Sequence, residues 1–255
     1  RKLIKDVIEL IDKEKYKTIY SDTDSIAFLL NNKTEKQTLE FLKKLNSHLP
    51  GVMELELEGF FKRGLWVTKR TGITGAKKKY ALMDKNGKIK IRGFETVRRD
   101  WCSLARKVQD KILRMVLEDG NEKNALEYTK DILNKLKKRK IEKSELMIRT
   151  QMKKPISEYK NISPHVIAAK KMEERNIPIR QGQLVEYYIA ETEEKKKLVR
   201  EKVKLPDEKG EYNLEYYLEH QILPAVENIF QVFGVDLSEI ISEKKKNQNK
   251  LSKWI

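Results

Sequence analysis

The chain has 255 residues, 39% apolar and 37% charged, and its 55 Lys and Arg against 39 Asp and Glu leave a net charge of +16. That length holds one large or two small domains with a real core, and the excess of one sign suits a polyanion, nucleic acid ahead of an anionic membrane. No apolar run nears the roughly 18 residues of a membrane span, Cys102 alone rules out an intrachain disulfide, and the scattered His48, His165 and His220, with no cysteine partners, argue against a zinc site.

A Lys/Glu-rich surface of the thermophilic kind would explain the charge density but not its sign. No signal peptide opens the sequence, so the expected compartment is the cytoplasm and the Asn161 sequon is chance. The first residue is Arg1, already inside a helical pattern, so the chain reads as a fragment or as a subunit whose beginning lies elsewhere.

Leu3, Ile4, Val7, Ile8 and Ile11 share one face of the opening helix. In "KTIYSDTDSIAFLL" (17–30) two apolar runs flank a polar knot, which predicts a buried β-hairpin with a two-residue turn centred on Asp22 and Thr23. A helix over 35–49 follows, stopped by Pro50 and Gly51. "MELELEGFF" alternates strictly, Met53, Leu55 and Leu57 against Glu54, Glu56 and Glu58, which predicts a strand with one buried and one acidic face. "KKKYALMDKNGKIKIRGFE" predicts a second hairpin, with Gly87 closing the turn begun by Asp84.

The pattern turns helical near Val97. A helix is expected over 100–117 with Asp100 at its N-cap and Gly120 at its C-cap, then another to about Arg139. Shorter mixed elements lead to an amphipathic helix over 213–233, which Pro224 should kink, and "SEKKKNQNK" (242–250) reads as a solvated linker. The whole is α+β: a sheet-containing part, a boundary near 95–100, and a mostly helical part.

Asp22 and Asp24 carry the sharpest chemical signal. Two carboxylates about 4 Å apart repel by roughly 4 kcal/mol at a surface-like dielectric, which protonation or a bound divalent cation would offset. Oxygen-only donors without histidine favour magnesium or manganese. The plain alternative is a polar hairpin turn, since Asp, Ser and Thr are turn residues. The apolar flanks argue instead for a tip that lies in a cleft.

"YSDTDS" (20–25) resembles motif C of family B DNA polymerases, with Ser21 in place of the usual glycine. Later landmarks follow in the family's order: "ELELEGFFKRG" resembles the palm strand after motif C, "KKKY" (77–80) its Lys-Lys-x-Tyr motif, and "RGFETVRRDW" (92–101) its palm-to-thumb junction. "SPHVIAAKKMEERN" and "YYLEHQILPAVENIF" resemble thumb segments of archaeal members. The extra residues around Gly72 and Gly75 in "VTKRTGITGAKKKY" depart from those members.

The resemblance implies half of an antiparallel palm with packed helices over 1–97, a mostly helical thumb over 98–241, and a tail over 242–255. It implies template-directed nucleotidyl transfer from a deoxynucleotide to a primer through two Mg²⁺ or Mn²⁺ ions. Asp24 is then the bridging metal ligand and Asp22 the accompanying one. Thr23 and Ser25 hold the turn, and Glu58, with Glu56, approaches an accessory cation site or simply faces solvent. Lys77, Lys78, Lys79 and Tyr80 would meet the primer–template duplex, and Arg98 and Arg99 would grip primer phosphates. "QNKLSKWI" resembles the clamp-interacting peptide of archaeal polymerases, with Gln248, Leu251, Trp254 and Ile255 as its anchors, or else folds back on the thumb. Motifs A and B and an exonuclease are absent, so a large subunit or an N-terminal part is the expected partner. The competing reading is a non-catalytic module that grips DNA and recruits the clamp. An RNA-binding α+β protein is a third, disfavoured by the thumb segments and by the lack of an aromatic platform.

Overall fold

The computed structural model describes residues 2–68, 75–193 and 198–237. The chain divides into two compact units, one of residues 1–63 with 82–88 and one of residues 64–81 with 89–255.

The first unit is built on α1 (Lys2–Lys13), the hairpin β1 (Lys17–Asp22) and β2 (Ser25–Leu29), and α2 (Glu35–Asn46). The apolar stripe of α1 buries Val7 and Ile11 against Tyr16, Phe41 and Leu45. Tyr16 anchors this core: its ring stacks on Phe41 at 5.0 Å and meets Phe28 edge-on at 4.9 Å, and its hydroxyl bonds Thr38 Oγ1 at 3.2 Å. A capping box starts α2, Gln37 N donating to Thr34 Oγ1 at 3.2 Å and Thr34 N to Gln37 Oε1 at 2.9 Å.

The hairpin is half-buried and not sunk in a core as its sequence suggested. Ile26 and Phe28 pack on the core, while Ile19 is 40% exposed and Leu29 44%. A two-stranded sheet covered by helices on one face leaves the other open.

The alternating segment 53–60 is not a strand: ladder pairing begins only with β3 (Phe61–Thr68). Alternation sets which side chains point inward, but a ladder needs a neighbour. Here Leu55 alone turns to the core, while Met53 is 55% and Leu57 41% exposed. The side-chain amide of Asn46 substitutes for a neighbouring strand at Leu55, accepting from Leu55 N at 2.9 Å and donating to Leu55 O at 3.0 Å.

β3, β4 (Gly75–Asp84) and β5 (Ile89–Arg92) form a sheet in that order. The expected turn between β4 and β5 is present. Gly87 has φ 78°, and Asp84 Oδ1 accepts from Asn86 N at 2.9 Å and Lys88 N at 2.8 Å.

In the second unit, a 3-10 turn (Glu95–Val97) precedes α3 (Ser103–Asp119) and α4 (Lys123–Lys137). The N-cap of α3 is Cys102, not Asp100: its Sγ accepts from Ala105 N at 3.4 Å, because the Asp100 carboxylate is turned to Arg98. Gly120 ends α3 as expected, at φ 72°.

Then come β6 (Ile148–Gln151), α5 (Pro164–Glu174), β7 (Leu184–Ile189) and β8 (Val203–Lys204), the strands forming one antiparallel sheet ordered β6-β7-β8. The final helix is α6 (Leu214–Tyr217), a π-helical turn (Leu218–Ile222) and α7 (Leu223–Gln231). Pro224 has no N–H for the carbonyl four residues back, and the wide turn, closed by Leu223 N on Leu218 O, ends just before it. The turn aims Gln221 at the start of α3, where its Oε1 accepts from the buried Cys102 N at 2.8 Å. Tyr217 ties the helix to the sheet, donating to Leu146 O at 2.8 Å and accepting from Ile189 N at 3.1 Å. No described helix is long and apolar enough to cross a membrane.

Candidate active site

The acidic tip owes its geometry to one extra residue. The hairpin pairs Thr18 with Phe28, then Tyr20 with Ala27, so Ile19 is a bulge. Continued without it, the Thr18–Phe28 register would set Asp22 opposite Asp24 with one residue between them. The bulge shifts Asp22 onto Ser25 and leaves a two-residue loop of Thr23 and Asp24. The turn thus lies one residue later than its expected centre at Asp22 and Thr23.

Thr23 sits in the left-handed region at φ 53°, unusual for a β-branched residue. Three bonds fix Asp22: Thr23 Oγ1 donates to its Oδ1 at 3.2 Å, and Asp24 N and Ser25 Oγ donate to its main-chain oxygen at 2.7 and 3.1 Å. The side chains of Thr23 and Ser25 thus both bond to Asp22. Asp22 is half-buried and Asp24 exposed, and neither pairs with a cation among the described residues.

These two carboxylates fit a hard divalent cation as part of its ligand set, since they offer oxygen donors with no competing positive charge. They do not complete one: among the described residues no three His, Cys, Asp or Glu side chains converge. Glu56 and Glu58 are exposed on the segment without a ladder and do not join Asp22 and Asp24 in such a group.

The basic residues belong to the second unit. Lys78 is exposed, with φ 60° inside β4, while Tyr80 is half-buried with its ring 6.3 Å from that of Trp66. Lys79 points inward. Its Nζ donates to both Glu95 oxygens, at 2.9 and 3.0 Å, and lies 5.1 Å from the centre of the Phe94 ring.

Arg98 forms a fork on Asp100, Nε to Oδ1 at 3.0 Å and Nη2 to Oδ2 at 2.5 Å. That bond holds the Asp100 carboxyl below the usual carboxylate range. Arg99 is exposed. The side chain of Lys77 and all of Gln248, Leu251, Trp254 and Ile255 lie outside the described residues.

Sequence reasoning missed Glu95 and Gln109. Gln109, fully buried on α3, donates to Glu95 Oε2 at 2.6 Å and to Ala225 O, and its Oε1 accepts from Thr96 N at 2.8 Å. The signal was an amide within the apolar stripe of Ala105, Ile112 and Leu113. Glu95 gave none.

The family model for DNA polymerase family B matches residues 2–233. The chain belongs to DNA polymerase family B. It is 38% identical to a DNA polymerase of Pyrococcus glycovorans over 254 residues, covering 97% of this chain and 31% of the relative. Against the DNA polymerase of Thermococcus kodakarensis the identity is 37%, covering 97% and 14%. Among solved structures, the family B DNA polymerase from the hyperthermophilic archaeon Pyrobaculum calidifontis superposes with a TM-score of 0.66 at 28% identity, covering 92% of this chain and 29% of that one. The chain thus spans less than a third of the relatives' length. In this family B chain the acidic tip falls in the first unit and the basic residues in the second.

Proposed function

We propose that this chain contributes the acidic tip and the duplex grip of a DNA-dependent DNA polymerase, and that further polypeptide, as a larger subunit or an N-terminal part, supplies the remaining carboxylate and the nucleotide-holding helix. The observation that carries the reading is the family B match over 2–233, which includes a hairpin tip where the Thr23 conformation leaves Asp24 exposed.

Asp24, with Asp22, would hold divalent ions, magnesium or manganese, whose chemistry when bound is to activate the primer 3′-hydroxyl and neutralise charge on the departing pyrophosphate. The Thr23 hydroxyl bonds Asp22 Oδ1, so Oδ2 is the oxygen left for the ion, and Ser25 bonds the Asp22 main chain. Glu58 would serve an accessory cation on the same unit. Lys77, Lys78, Arg98 and Arg99 would meet duplex phosphates or minor-groove acceptors, with Tyr80 packing beside them. The net charge of +16 supports a grip whose log affinity falls linearly with log salt. Gln248, Leu251, Trp254 and Ile255 would seat in a pocket of a sliding clamp.

Primer extension by the chain mixed with its complementing part is the test. Asp24→Ala should reduce Mg²⁺-dependent extension to background and leave DNA affinity unchanged. Full extension by the variant would remove Asp24 from the reaction. A complemented mixture that binds DNA but extends with neither metal would fit a non-catalytic, clamp-recruiting grip instead.

A further inference from the structure

We propose that Lys79 is not a DNA contact but the pivot of a buried bridge that positions Lys78 on one side and Arg98 and Arg99 on the other. The proposal rests on the DNA-grip reading above. In the sequence Lys79 is one of three adjacent lysines and looks like its neighbours. In the fold its side chain and that of Glu95 are each only 12% exposed. A lysine serving a phosphate surface keeps its ammonium in water. This one lies over the Phe94 ring and gives two hydrogen bonds to one carboxylate.

Lys78 and Lys79 are adjacent on β4 and the backbone around them is tightly held. Lys78 has φ 60° and Gly93 φ 70°, and the two main chains press together there. A Cβ built on Gly93 would lie 2.0 Å from the Lys78 carbonyl oxygen. Adjacent strand positions face opposite ways, so Lys78 is exposed while Lys79 turns toward Glu95, and the close approach of Gly93 fixes the backbone between them.

Glu95 begins the 3-10 turn that ends at Arg98, whose N–H bonds Glu95 O at 2.9 Å. Gln109 clamps that turn to α3 through Thr96 N and Glu95 Oε2, and to α7 through Ala225 O. The bridge therefore runs from the strand that carries Lys78 to the turn that delivers Arg98 and Arg99. A nearly dry ion pair adds little net stability over apolar packing of the same volume, whereas it fixes register between the elements it joins.

The test is binding of a dye-labelled primed duplex by the chain across a salt series. Each phosphate contact contributes about 0.9 to the slope of log affinity against log salt. Lys78→Met should lower that slope by about this amount. Lys79→Met should weaken binding about tenfold at every salt, the cost of one misaligned hydrogen bond, with the slope unchanged because Lys78, Arg98 and Arg99 stay beside the phosphates.

The decisive variant is Glu95→Gln. Removing an acid from a DNA-binding surface strengthens binding by simple electrostatics, whereas loss of the bridge should weaken it about tenfold, like Lys79→Met. Lys79→Met/Glu95→Gln strands no charge, so it should unfold near the wild-type midpoint and still show the same single loss, because the two residues act as a unit.

A reduced slope for Lys79→Met would make Lys79 a phosphate contact and overturn the proposal. Unchanged or tighter binding by Glu95→Gln, or wild-type affinity in the double variant, would reduce the bridge to a structural tie and overturn it too. A wild-type chain that binds at no salt concentration would overturn the grip reading itself, and with it the proposal built on that reading.

Discussion

Thr23 holds a conformation that its own side chain resists. At φ 53° a β-branched residue carries strain on the order of 1 kcal/mol, and here it sits beside the carboxylate proposed to act in the reaction. Thr23→Asn, which tolerates the left-handed region, should raise stability by about 1 kcal/mol in urea unfolding. It should also lower extension by the complemented enzyme, since Asp22 Oδ1 loses its hydroxyl donor. At Arg98 the electrostatics have a definite sign. The hydrogen bond from Arg98 depresses the Asp100 carboxyl, so its contribution is present above the unfolded value of about 3.9 and is lost as pH falls through the lower folded value. Both side chains are about half exposed, so solvent screening keeps the contribution to stability small. An NMR titration should follow the Arg98 Nε–H losing its partner only below pH about 4.

Periodicity read from the sequence identified most elements of this fold. The apolar stripes of α1, α2, α3 and α4 and the turn at Gly87 stand where it put them, because each depends on local spacing and capping. It failed where the outcome depends on a distant partner. Segment 53–60 alternates well enough for a strand and finds no ladder, since pairing is decided by a neighbour that alternation cannot reveal. Hydrogen exchange makes this testable. The amides of Glu54, Glu56 and Leu57 should exchange quickly in the chain alone, while Leu55, held by Asn46, should be protected. Asn46→Ala should erase that difference. The bulge at Ile19 was equally hidden, and with it the register that makes Thr23 and Asp24 the loop. Cys102 took the cap expected of Asp100 because Arg98 claims that carboxylate, a competition that propensity does not weigh.

At the scale of the molecule, the charge imbalance and the order of motifs point to a nucleic-acid enzyme of this family from sequence alone, and the family match agrees. Composition could not sort the cations by what each one does. Of the adjacent Lys78 and Lys79, one is exposed and the other is turned to a carboxylate, a distinction of strand face that composition does not carry. The solitary thiol offers a practical opening. Cys102 is fully buried and burial pushes it up to about 12, so maleimide reagents should pass it by in the folded chain. Lys85→Cys on the outer turn of the first unit and Lys140→Cys in the second would then be the available sites for a donor and an acceptor fluorophore. Energy transfer between the two dyes would report, in real time, whether the distance between the labelled positions changes when an oligonucleotide is added.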